Sequence, residues 1–158
     1  MTRLHDASDI GAVLPETANT ADAVDDGSFD IAVLLEHELT GTSARRMTEL
    51  YQMKSTPCRY HLVRPLGDGS AHSDGARQEA ERLVRKSVER MEALQASASG
   101  VVADHEPIEA LLDAVTTTHS QEIVVVTKPH RLATLLHRDL ASKVRSQVDL
   151  PMVHLVER

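Results

Sequence analysis

Aromatic residues are almost missing from this sequence: one Phe, two Tyr and no Trp in 158 residues. A core built without rings must be made of Leu, Val, Ile, Ala and Met, which suits buried parallel strands covered by helices. It also leaves little with which to stack bases. Basic charge is in deficit, because the formal net charge is −7, whereas a nucleic-acid binder presents a basic stripe to phosphates. No nucleic acid is therefore expected as a partner. Cysteine is limited to Cys58, so no intramolecular disulfide can close. No run of about 18 apolar residues occurs, and the start lacks the apolar segment of roughly 7–15 residues found in a signal peptide. The expectation is a cytoplasmic protein with no membrane partner.

Metal-ligand spacing is absent too. The histidines, among them His37, His61, His72, His105, His119, His130, His137 and His154, never fall in an H-x3-5-H or H-E-x-x-H pattern. Neither a G-x-S-x-G elbow nor a G-x-x-x-x-G-K-[ST] loop is present, and Gly67-Asp-Gly-Ser70 reads as a flexible connection. Cys58 and His61 lie three apart on one expected strand. Their side chains then face opposite ways and cannot form a local nucleophile–base pair. No catalytic residue stands out, and the reading leans away from an enzyme.

What is present is an alternation of apolar segments. Residues 1–28 hold Ala, Asp, Thr, Ser and Gly without sustained periodicity, and residues 1–29 set one arginine against six carboxylates. They read as a disordered acidic tail. A domain over 29–158 follows. Ile31–Leu35 is a continuous apolar run of strand length, and Ala44, Met47, Leu50 and Tyr51 define a helix over about 43–54 that Thr42 can cap. Cys58–Arg64 is rich in strand formers and stops at Pro65. A long helix carries Ala76, Ala80, Leu83, Val84, Val88, Met91 and Leu94 on one face and is expected to end near Ser99-Gly100 at a glycine stop. Gly100–Asp104 gives a short third strand, Pro107 opens a third helix, and Gln121–Thr127 is a fully buried strand. A fourth helix carries Leu140, Val144 and Val148 before Met152–Val156 closes the series as a fifth strand. Strands separated by helices of ten or more residues imply right-handed crossovers, a parallel sheet and helices on both faces.

The α/β series, with its short third strand, Pro-started third helix and Val-rich fourth strand, resembles the universal stress protein family. The resemblance covers about 29–158 and is carried by Glu106–Val115, Glu122–Val126 and Ala141–Leu155. It implies a doubly wound three-layer sandwich with a five-stranded parallel sheet in the order 3-2-1-4-5 and four helices. ATP-binding members carry G-x-x-G-x9-G-[ST] after strand four, where bare backbone amides approach phosphates. Here Thr127-Lys-Pro-His-Arg-Leu-Ala-Thr-Leu-Leu-His-Arg-Asp139 contains no glycine. Thr127 and His130 fall near the first two glycines, and Arg138 and Asp139 on the last Gly and Ser/Thr. Usual ATP binding is disfavoured, while Lys128, Arg131 and Arg138 supply cations that can hold an anion by charge.

The altered nucleotide or anion site implied by the resemblance comprises Glu36, Val63, Thr127, Lys128, His130, Arg131, Arg138 and Asp139. No cofactor is expected, with ATP or another adenine nucleotide as the alternative. The resemblance further implies a homodimer joined through Met152, Val153, His154, Leu155 and Val156. Two functions are carried forward: a regulatory binding module acting through protein contacts or a small ligand, and a nucleotide-binding protein with weak phosphohydrolase activity. A third pattern, a receiver-like signalling domain suggested by Asp104 and Thr127-Lys-Pro129, fails because its Lys-Pro would follow strand five and its chain would end on a helix.

Overall fold

The computed structural model describes residues 27–66, 73–128, 143, 144 and 146–157. Strands β1 (Phe29–Leu35), β2 (Cys58–Pro65), β3 (Ser97–Ala103), β4 (Glu122–Thr127) and β5 (Met152–Val156) alternate with helices α1 (Gly41–Leu50), α2 (Asp74–Glu92) and α3 (Pro107–Thr118). All strand pairs are parallel, and the order across the sheet is β3-β2-β1-β4-β5. This is the expected topology. Of the expected fourth helix, residues 143, 144, 146 and 147 are helical and the rest lies outside the described residues.

Alternation along β1 divides the core into two layers. Ile31, Val33 and Leu35 pack with Leu39, Ala44, Met47, Tyr51 and Met91 under α1 and α2. Ala32 and Leu34 pack with Leu111, Val115 and Val144 on the opposite face. Both faces of the central strand are therefore sealed, which is why β1 and β4 read as continuous apolar runs rather than alternating ones. Truncating a buried side chain such as Met47 would cost about 2–5 kcal/mol in transfer and cavity terms.

Several boundaries differ from the sequence reading, each for a physical reason. Helix α1 begins at Gly41, not at 43, and is capped by Thr40, not Thr42. The Thr40 hydroxyl accepts from Ser43 N at 3.1 Å while Ala44 N donates to Thr40 O at 2.9 Å. It also ends earlier, at Leu50, which is 48% exposed and does not join the buried face. Helix α2 stops at Glu92 rather than near Gly100. The reversal is made by Gln95 at φ 67°, with Ala96 N donating to Met91 O at 3.1 Å. Ser97 to Ala103 is then free to pair with β2, and Gly100 sits within the strand. Its lack of a Cβ is required there, because an added Cβ would meet Val84 Cγ1 well inside contact and Val88 Cγ2 at 3.1 Å. Pro107 opens α3 as expected, and the helix ends with His119 in the left-handed region at φ 56°.

Candidate functional site

Open parallel sheets place ligands at the carboxyl ends of their strands, beside the point where the winding reverses. Here that point lies between β1 and β4, the central pair. The segment after β1 crosses it and is fixed from α2. Leu39 N donates to Ser87 Oγ at 3.0 Å, and Leu39 O accepts from Arg90 Nη1 at 2.6 Å. Arg64, at the end of β2, reaches back over β1 and donates to Glu36 O at 2.7 Å. Its guanidinium thereby answers carbonyls that the strand ladder leaves over.

A buried carboxylate follows β5. Glu157 is 5% exposed, and its Oε2 accepts from Thr40 N at 2.9 Å and from the Thr40 hydroxyl at 2.8 Å. Helix α1 has no acidic residue in its own first turn, so Glu157 supplies the negative charge that the helix N-terminus favours. Burial pushes the Glu157 carboxyl up, but hydrogen bonds from Ser43 and Thr40 and the nearby His37 ring outweigh it and leave the group below its ordinary value. Its backbone N donates to Thr127 O at 2.7 Å, tying β5 to β4. The α1 N-terminus is thus already filled by the protein's own anion.

Thr127 Oγ1 and His37 Nε2 at this edge are buried without hydrogen-bond partners among the described residues, as is Arg64 Nε, although the Arg64 guanidinium bonds through Nη1. Thr127 is 0% exposed at the end of β4. The His37 ring faces Glu157 Oε1 at 3.1 Å and Glu38 O at 2.9 Å through Nδ1. Both neighbours are acceptors, so Nδ1 carries a proton toward them. A buried hydroxyl with no partner costs about 1–3 kcal/mol, which a ligand atom bonded there would recover.

Of the expected site residues, the structure brings Glu36, Thr127 and the exposed Lys128 to this one edge. Glu36 is half-buried, and its N donates to Val126 O at 3.2 Å. Val63 is buried against Ala110 and Ala114, under α3. His130, Arg131, Arg138 and Asp139 lie outside the described residues, as do residues 1–26 of the expected tail. The sequence reading missed His37, Thr40, Arg64 and Glu157. Thr40 carried a usable signal as a capping residue before a helix, whereas Glu157 is 117 positions from its partner and carried none.

Strand β5 is an edge strand with a single neighbour, β4. Along it Leu155 is buried, Met152, Val153 and Val156 are half-buried, and His154 is exposed. Among the described residues no group of three His, Cys, Asp or Glu could hold a metal ion, and no helix is long and apolar enough to cross a membrane. Cys58 is half-buried and its thiol is pushed up by burial, which makes it a poor nucleophile.

The fold is similar to that of a universal stress protein from Archaeoglobus fulgidus in complex with dAMP. The TM-score is 0.59 and the identity 16%, over 80% of this chain and 96% of that one. A universal stress protein in complex with cAMP is similar at TM-score 0.51 and 14% identity, over 80% of this chain and 96% of that one. A member of the same family from Burkholderia pseudomallei gives TM-score 0.51 and 14% identity, over 79% and 94%. No family model and no curated protein matches the sequence. The chain has the universal stress protein fold.

Proposed function

We propose that this chain is a dimeric, universal-stress-protein-like binding module that does not take ATP in the usual pose. It receives a nucleoside monophosphate, or a comparably small phosphoanion, at the carboxyl edge of its sheet. The observation that carries this reading is the fully buried Thr127 Oγ1 at the end of β4, which has no hydrogen-bond partner among the described residues, in a fold shared with proteins solved with dAMP and with cAMP. Arg64 and Lys128 supply positive charge nearby, and Glu36 stands at the end of β1. A triphosphate is disfavoured because residues 127–139 contain no glycine, and a Cβ on each residue keeps phosphates from close approach to backbone amides. Glu157 also occupies the amides at the start of α1, so like charge repels further phosphates from that helix. The role is binding and regulation, with the dimer formed along β5.

Calorimetric titration of the full chain with AMP, cAMP, ATP and inorganic phosphate tests the reading. AMP or cAMP should bind, ATP no more tightly than AMP, and Thr127→Val should weaken binding about fivefold, as expected for one hydrogen bond of about 1 kcal/mol. Binding of ATP well above AMP would instead favour a phosphohydrolase using Lys128 with Arg131 and Arg138. Absence of heat with all four at millimolar concentration would remove the ligand and leave a module acting by protein contacts alone.

A further inference from the structure

A second constellation lies away from the carboxyl edge, on the sheet face covered by α3. In register, Ala32 of β1 stands beside His61 of β2, and His61 beside Ser99 of β3. Asp30, two residues before Ala32, shares their face because side chains repeat every second residue. His61 Nε2 lies 2.8 Å from Asp30 Oδ1, and Ser99 Oγ lies 3.4 Å from His61 Nδ1. Asp30 is 4% exposed, Ser99 is exposed and the His61 side chain is 20% exposed. The chain therefore runs from a buried carboxylate through a ring to an open hydroxyl.

The carboxylate is rigidly held. Arg59 donates to it through Nε at 2.8 Å and Nη2 at 3.1 Å. The Asp30 backbone exchanges hydrogen bonds with Gln121, N to Oε1 at 3.1 Å and O from N at 2.8 Å. An ionised Asp30 can only accept, so Nε2 of His61 carries the proton and Nδ1 presents its lone pair to the Ser99 hydroxyl. This is the order of orienting acid, base and nucleophile used in acyl transfer, with the two ring nitrogens exchanged. A separation of 3.4 Å is the loose geometry usual before substrate binds.

Beside the hydroxyl a cavity of about 210 Å³ opens between β2, β3 and α3, lined among others by His61, Ser99, Val101, Ala114 and Thr117. It is mainly apolar and holds only a short acyl group.

We propose that Ser99, His61 and Asp30 form an acyl-transfer site for a short-chain carboxylic ester. Ser99 is the nucleophile, His61 the general base and Asp30 the positioning residue. Ser99 Oγ attacks the carbonyl carbon while its proton passes to His61 Nδ1, and the carbonyl π electrons move to the oxygen. Collapse re-forms the carbonyl and breaks the bond to the alkoxy oxygen, which leaves with the proton from Nδ1. Water then attacks acyl-Ser99 by the same route, releasing the acid and restoring the hydroxyl.

The test is labelling of the full chain with an alkyl fluorophosphonate, read by intact mass and peptide mapping, beside hydrolysis of p-nitrophenyl acetate. A single adduct on Ser99 is expected, together with ester turnover that Ser99→Ala abolishes. His61→Gln should slow labelling about 100-fold, the usual contribution of a general base. Asp30→Asn, assayed where melting curves show it fully folded, should slow labelling too, and Asp30→Glu should recover part of the rate. No adduct on wild type, an adduct that persists in Ser99→Ala, or undiminished labelling of Ser99 in His61→Gln would each overturn the assignment.

Discussion

Replacing Gly100 by alanine adds one methyl group to an edge strand at a point where α2 lies directly on it. The new Cβ would overlap Val84 Cγ1 and stand 3.1 Å from Val88 Cγ2. Val84 is 6% exposed, and as a β-branched residue it has one favoured rotamer in a helix. It therefore cannot swing aside without moving the helix. Overpacking of this kind costs about 1–3 kcal/mol, while alanine restricts the unfolded chain and returns about 0.4–1 kcal/mol. The net expectation is a loss of about 1–2 kcal/mol, which lowers the melting temperature of a domain this size by roughly 2–8 °C. Thermal melts and urea titrations followed by circular dichroism measure it. In a double-mutant cycle, Val84→Ala should relieve the clash and couple favourably to Gly100→Ala by about 1 kcal/mol. A Gly100→Ala protein within about 0.5 kcal/mol of wild type, or additivity in the cycle, would refute the close approach of α2 to β3.

Glu157→Gln tests the buried carboxylate at the start of α1. Because the folded group sits below its ordinary value of 4.5, its stabilisation is present above pH 4.5 and is lost as pH falls through the folded value. The variant should be less stable at pH 7 by about 1–3 kcal/mol, and its melting temperature should fall less than that of wild type below pH 4.5; parallel curves would sink the idea. For the dimer, sedimentation of wild type and Val153→Arg is the comparison, with a wild-type dimer and a variant monomer expected. A wild-type monomer at high micromolar concentration would end the β5 pairing.

Sequence alone was sufficient for the strands, the parallel topology and the two-faced core, because each rests on a local pattern. Ile31–Leu35 and Ile123–Val126 could only be strands sealed on both faces, and they are. Pro107 marked a helix start through its own fixed φ and missing N–H. Gly100 shows where local reading fails. A glycine after a long helix signals equally a C-terminal stop or a close approach within a strand, and only the position of Val84 decides between them. The stop fell instead to Gln95, a residue with no preference for positive φ.

The absence of glycine from 127–139 was plain in the sequence and underlies the proposal that ATP is not taken in the usual pose. What surrounds that edge was decided by tertiary structure. Thr40 and Glu157 are joined across 117 positions, and Asp30, His61 and Ser99 come from three strands aligned only by the register of the sheet. Periodicity encodes which face a residue takes, since that depends on its neighbours in the chain. Which residues meet across strands depends on register and crossover geometry, and these are settled only when the whole sheet closes its core.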